Sequence, residues 1–434
     1  MTIYLTYRWT RARILGMANE GNAREASVRV ASGELDGRGM AVLAFAHLFD
    51  DVNQSALPAL LPFLIAERGL SYTAAAGLVL FASISSSVVQ PMIGALADRR
   101  SMPWLIALGL FLAGAGLALA GAMPSYWLIV ACVLVSGLGI AIFHPEAARF
   151  ANFVAGRQKA TGMRWFSVGG NLGFAFGPLL LTPLLLLFGL RGTLVLVVPA
   201  AVMAVVVVRE LPRLRTFVPP KRVAAAGSGE DRWGPFALLT GAVAVRSMAY
   251  IGLVSFTPLF FIGVLHASKA AGNAALTIFL LAGAAGTIYG GRLADRIGRK
   301  RTFVLATFAA VPLLGAFVAL TARFPNVPLA VAMLSLAGFA VVASQTAFVV
   351  LGQEYLPRHI GIASGVTLGL AISLGGVGTP ILGRIADAYG LPAAFEAIVG
   401  LLFVAACIAS TLPGRAADLR HARALRAKLE DAVA

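Results

Sequence analysis

The sequence predicts an all-α integral membrane protein with twelve transmembrane helices in two pseudo-symmetric six-helix bundles. Three observations carry that prediction. The chain is 59% hydrophobic and 12% charged, with a mean hydropathy of +0.85; a soluble domain has about a quarter of its residues charged. Apolar stretches of roughly twenty residues, enough to cross about 30 Å of hydrocarbon, recur from Met40 to Leu412. A near-identical hexapeptide occurs twice, GALADR at Gly94–Arg99 and GRLADR at Gly291–Arg296, 197 residues apart. Such a repeat marks two similar halves. Stretches this long exceed a barrel strand, and backbone polar groups in lipid must pair internally, so they are helices. Duplicated halves in a membrane protein point to a transporter that rocks one half against the other.

The elements follow in order. A mixed-charge cytoplasmic tail, 1–39, has no apolar core that could serve as a signal peptide. The first bundle, 40–209, reads as spans near 40–66, 73–97, 102–122, 126–151, 158–188 and 191–209. A linker, 210–233, holds Pro212, Pro219, Pro220 and a Gly-Ser-Gly stretch among its cations. The second bundle, 234–412, reads as spans near 234–262, 272–294, 302–321, 328–353, 358–387 and 391–412, before an Arg/Ala/Leu-rich tail, 413–434. Most of the 35 Lys and Arg fall on segments that share a side with both termini, which places the termini in the cytoplasm and the chain in the inner (cell) membrane. The net charge of +16 is thus a topology signal, and no nucleic-acid partner is expected. Cys132 and Cys407 lie in apolar runs with no clustered Cys/His spacing, so neither a metal nor a cofactor is expected. The expected partners are the bilayer, protons and a small-molecule substrate, acting on a monomer.

Helix packing has its own signature. The fifth span carries Gly169, Gly173 and Gly177, and the eleventh carries Gly361, Gly365 and Gly369, each at every fourth position. Such stripes let another backbone approach closely. Gly177-Pro178 and Thr379-Pro380 are expected to break or kink these two spans.

The first span carries His47, Asp50, Asp51 and Gln54 at i, i+3, i+4 and i+7, one helical face. An acid at mid-membrane costs roughly 2.5–3.5 kcal/mol, so the cluster should face water or partners. The alternative is a helix start whose acids are merely solvated by headgroups. In low dielectric a carboxylate can load and release protons near neutrality, as proton coupling requires. The fourth span ends FHPEAAR, where Glu146 and Arg149 can pair and Pro145 frees the carbonyl of Ala141. His144 points either to a cavity or to the cytoplasmic edge, and Glu146 is either a cavity acid or part of a salt-bridged helix end. Arg164, Ser167 and Asn171 form a polar stripe on the fifth span, with Arg164 either facing a substrate or snorkelling to the edge. Arg246 lies within the seventh span; a permanently charged guanidinium there must meet an acid, carbonyls or an anionic substrate. The duplicated Asp98-Arg99 and Asp295-Arg296, with Arg299, sit at cytoplasmic helix ends and are read as gating latches.

G-x-L-A-D-R-x-G-R-K is complete at Gly291–Lys300, and the first copy departs with Ser101 in place of the second glycine. With twelve spans in two halves, the chain resembles the major facilitator superfamily. More narrowly it is similar to the fosmidomycin resistance family of drug/proton antiporters. That likeness rests on His47, Asp51 and Gln54, FHPE at Phe143–Glu146, VGGNLG at Val168–Gly173 with Gly177-Pro178, QE-x-LP at Gln353–Pro357 and IG-x-x-SG at Ile360–Gly365. The resemblance implies efflux of small drugs, including the phosphonate fosmidomycin, in exchange for protons. No arginine lies between Tyr126 and Phe143, where many drug antiporters of the superfamily carry one. A proton-coupled importer of an organic anion is the alternative; an intramembrane enzyme is disfavoured, since no nucleophile–base or metal-ligand spacing is present.

Overall fold

The computed structural model describes residues 34–99, 101–217, 230–359, 362–363 and 365–413. Most of both tails, the centre of the linker and Gly361 lie outside the described residues, as do the side chains of Asp98 and Arg99. Among the described residues the chain forms twelve α-helices and no strand. They are α1 (Gly37–Arg68), α2 (Tyr72–Arg99), α3 (Trp104–Ala120), α4 (Tyr126–Val154), α5 (Lys159–Phe188) and α6 (Val197–Leu214). After the linker come α7 (Trp233–Gly263), α8 (Lys269–Ile297), α9 (Arg299–Arg323), α10 (Val327–Tyr355), α11 (Ala371–Tyr389) and α12 (Leu391–Thr411). Eight segments are long and apolar enough to span a membrane by length and composition alone, and α3 is a shorter apolar helix. The bilayer supplies the solvent such helices need: Trp127, Leu187, Phe188, Val198 and Phe324 are all more than half exposed.

Helix starts follow local chemistry. α2, α4, α8 and α10 each begin beside a short polar side chain that accepts a free amide. Ser71 takes the Ala74 N–H, Ser125 that of Leu128, Ser268 that of Ala271 and Asn326 that of Leu329. α9 and α12 instead follow Gly298 and Gly390 at φ +93° and +87°, a reversal that glycine makes without strain.

Two boundaries differ from the sequence reading. The span expected from 191 begins as a 3₁₀ segment, Gly189–Leu196, because Thr193 ties its hydroxyl to the carbonyls of Ala118 and Leu190 and holds the turn against α3. α11 starts at Ala371 after a π-helical stretch, Gly365–Leu370, where Gly365 and Gly369 offer little side-chain packing to fix the winding. The prolines do not break their helices. α5 continues through Pro178 and Pro183, and α11 through Pro380.

Contacts divide the chain into two compact units: Met1–Leu60 with Ser85–Ala224, and Leu61–Ile84 with Ala225–Ala434. The end of α1 and the first half of α2 therefore group with the second unit. The first unit's core gathers Leu43, Ile106, Leu110, Phe143, Phe150 and Val207. In the second, Phe236, Leu239, Phe303 and Phe348 pack around Tyr355 and Leu356. Small residues bring backbones together in both. A Cβ on Gly109 or Gly116 would strike the α4 backbone, and one on Gly286 or Gly290 the α10 backbone. The predicted stripe of α5 acts in the same way. Gly169 abuts the Ala44 carbonyl, Gly173 that of Leu48, and Gly177 both Ser55 Oγ and the Val52 carbonyl, which locks α5 against α1. In α11 the close approach to α7 is made by Gly375 on Ser247 and Gly378 on Met248, whereas Gly365 faces open space.

Candidate functional site

α1, α4 and α5 together build a buried titratable cluster in the first unit. Asp50 is fully buried, and Asp51 and His47 nearly so. The close α1–α5 contact sets the positions. With Gly169 admitting the α1 backbone, the neighbouring Gly170 leaves room for the His47 ring and the Asp51 carboxylate; a Cβ there would lie 2.7 Å from Asp51 Oδ2. His47 stacks on Phe166 at 4.1 Å between centroids and meets His144 edge-on at 5.1 Å. His144 enters from α4.

Hydrogen bonds settle which imidazole nitrogens face the acids. His47 Nδ1 lies 2.9 Å from the Phe166 carbonyl, and His144 Nδ1 lies 3.0 Å from the Ile140 carbonyl. A carbonyl only accepts, so both Nδ1 atoms carry hydrogen and donate. That leaves Nε2 of each ring toward Asp51: His47 Nε2 is 3.3 Å from Oδ2, and His144 Nε2 is 3.3 Å from Oδ1. Asp50 Oδ2 also approaches His144 Nδ1 at 3.4 Å. A neutral imidazole with this tautomer would set its lone pair against a carboxylate lone pair, so each Nε2···O contact is favourable only with a proton between them. Two carboxylates and two imidazoles share this buried cluster, so its net charge is set by the number of protons they hold together. Ligand atoms of His47, Asp51 and His144 lie within 4.8 Å of one another, a spacing that would accept a divalent cation as well as protons.

The other residues singled out in the sequence fall elsewhere. Gln54 shares the helical face by spacing but is exposed, outside the buried cluster. Glu146 is fully buried and accepts the Met102 amide at 2.8 Å while Arg149 lies 3.4 Å away, so it anchors the loop before α3. Arg164, Ser167 and Asn171 do share one face of α5; that face is exposed, opposite the glycine stripe. Asp295 and Arg296 are exposed and form no ion pair among the described residues, while Arg299 pairs with Glu354 at 2.9 Å.

In the second unit α7 and α10 bury Arg246. Its Nε donates to Ser344 Oγ at 2.7 Å and its Nη2 to the Val341 carbonyl at 2.8 Å. The guanidinium also lies against the rings of Phe348 and Tyr250, at 5.1 and 5.9 Å. No carboxylate pairs with it among the described residues. The sequence reading passed over two contributors, Gly170 and the Asp50–His144 contact. The Gly169-Gly170 doublet was the available signal for the first. The second joins residues on different helices, for which spacing gives no sign.

The family model described as Major Facilitator Superfamily matches residues 43–380. The chain is 30% identical over 377 residues to an uncharacterized MFS-type transporter, YfnC, of Bacillus subtilis, covering 83% of this chain and 89% of that protein. It is 28% identical over 360 residues to the fosmidomycin resistance protein of Escherichia coli, covering 80% and 86%. Among solved structures, a bacterial homolog of the human lysosomal transporter Spinster, in an inward-facing and occupied conformation, superposes with a TM-score of 0.71 at 17% identity. It covers 86% of this chain and 96% of the other. A mutant of the nucleoside transporter NupG gives 0.68 at 13%, covering 86% and 99%. At these identities the two structures establish the fold.

Proposed function

The chain belongs to the Major Facilitator Superfamily and is a multi-pass membrane transporter, not an enzyme; on that premise we propose that it is a proton-coupled antiporter exporting small drugs. The two six-helix halves, 40–209 and 234–412, are the bodies that exchange access between the two sides of the inner membrane, with both termini in the cytoplasm. The observation that carries proton coupling is the pair of Nε2 atoms, on His47 and His144, held 3.3 Å from the two oxygens of Asp51. Protons arriving from outside load the cluster of His47, Asp50, Asp51 and His144, and their release inside drives the cycle. Each charge moved is worth about 2.3 kcal/mol per 100 mV of membrane potential.

An anionic cargo, such as a phosphonate of the fosmidomycin type, is favoured by Arg246. Its charge is buried against a hydroxyl, a carbonyl and two rings, and an oxyanion would supply the missing counter-charge. The 28% identity to the fosmidomycin resistance protein supports the same class. We assign further cargo contacts to Gln54, Arg164, Ser167 and Asn171, and gating at the cytoplasmic side to Asp98, Arg99, Asp295, Arg296 and Arg299. A monomer suffices for this cycle. The test is transport of fosmidomycin by purified protein in liposomes with the pH of each side set independently. An imposed proton gradient should drive drug in the opposite direction, and Asp51→Asn should abolish the response. Drug movement indifferent to the gradient would refute coupling.

A further inference from the structure

A third relative of the duplicated hexapeptide stands at the end of α11: GRIADA at Gly383–Ala388, against GRLADR at Gly291–Arg296 in α8. In this superfamily each half is itself built of two three-helix repeats of inverted topology. The second and fifth helices of a half, here α8 and α11, correspond in reverse direction. The motif at the end of α8 near the N-terminal side therefore has its counterpart on the far side, where α1 ends and α2 begins.

The aspartate of this third copy is engaged. Asp387 Oδ1 accepts the Tyr72 N–H at 2.8 Å, and Oδ2 accepts the Thr73 N–H at 2.9 Å and the Thr73 hydroxyl at 2.6 Å. Tyr72 and Thr73 open α2, so their amides have no acceptor within the helix, and a carboxylate meets the positive end of its dipole. The glycine is engaged too. A Cβ on Gly383 would lie 2.8 Å from Thr73 Cα and from the Tyr72 carbonyl. One turn earlier Thr379 shares its hydroxyl proton between the Gly376 carbonyl, 2.7 Å away, and the Ala76 carbonyl of α2, 3.1 Å away. A Cβ on Gly376 would overlap Ser83.

Gly376, Thr379, Gly383 and Asp387 thus line one face of α11, and they meet a matching antiparallel face of α2, all within the second compact unit. The seam is built to part. It joins small residues, the hydroxyls of Thr73 and Thr379, and a carboxylate at an exposed helix end, where water can replace the partners of Asp387.

We propose that Asp387 is the latch of the far-side gate, holding the start of α2 against α11 and releasing it when that side opens. In this conformation the motif is engaged there, while its α8 copy, Asp295-Arg296, is exposed. The proposal rests on transport by alternating access and not on protons or a particular cargo.

The test is the reactivity of Ser83→Cys, with Cys132 and Cys407 replaced by alanine, toward a hydrophilic thiol reagent in the purified protein. Asp387→Ala should raise the rate roughly three- to tenfold, the scale expected for losing a helix cap. Gly383→Leu, which wedges the seam, should raise it at least as much. Thr73→Ala removes one bond of three and should give a smaller rise; it serves if Asp387→Ala does not fold. Unchanged reactivity in the folded variants would overturn the latch. Because no substrate or proton gradient enters the measurement, its failure is separable from failure of drug/proton exchange.

Discussion

The first and fourth helices of each half together bury charged groups, and those groups differ between the halves. α1 and α4 hold His47, Asp50, Asp51 and His144, whose charges depend on protons. α7 and α10 hold Arg246, whose charge does not, together with Ser344. Under the proposed coupling, the α1–α4 cluster changes its net charge during a cycle and the Arg246 site does not. On the proposed reading, a duplicated scaffold has one half that takes up protons and one that presents a constant cation.

The strongest way to break that contrast is Asp51→Asn against Arg246→Gln in the same liposomes. Asp51→Asn is expected to cut proton-driven transport by about 100-fold or more, the scale at which positioned proton-transfer groups act. Arg246→Gln should weaken anion binding while binding-induced proton exchange by the cluster persists. Equal loss of proton movement in both variants would erase the division of labour. Next in size, Arg246→Lys should cost cargo affinity about tenfold, because an ammonium lacks the fork that reaches Ser344 and Val341 together; calorimetric titration with the anion reads this directly.

His144→Gln against Glu146→Gln sharpens the contrast within the FHPE string. His144→Gln should flatten the dependence of transport on the proton gradient. Glu146→Gln should leave that dependence intact and lower thermal stability by about 1–3 kcal/mol, since it weakens the acceptor that holds the Met102 amide. The smallest effects belong to the glycines. Gly170→Ala should impair proton coupling by crowding His47 and Asp51, whereas Gly365→Ala, which meets open space, should stay within about 0.5 kcal/mol of wild type in a melting experiment.

Much of the fold was legible because lipid imposes a simple rule, about twenty apolar residues per crossing, and the hexapeptide repeat gave the duplication. Where backbone geometry departs from a regular helix, hydropathy was silent. The 3₁₀ segment before α6 depends on where the Thr193 hydroxyl lands, and the π stretch before α11 on the packing of small residues. The site was legible only within one helix. Spacing placed His47 and Asp51 together, yet it also grouped Gln54, which the structure leaves exposed. From its own helix Glu146 read equally as a cavity acid and as part of a salt-bridged helix end. One of its partners, the Met102 amide, is 44 residues away and has no distinctive side chain. Asp387 was hidden because GRIADA ends in alanine where the two copies of the hexapeptide end in arginine.

Just before α1, Asp36 accepts the Gly39 amide and pairs with Arg213 of α6 at 2.6 Å, and Arg38 pairs with Glu210. Asp36, Arg213 and Glu210 are buried, so the knot is not easily traded for water. The knot joins the end of α6 to the start of α1, whose first residue, Gly37, lies ten residues ahead of His47. The charged knot thus fastens the last helix of the first half to the beginning of its first helix.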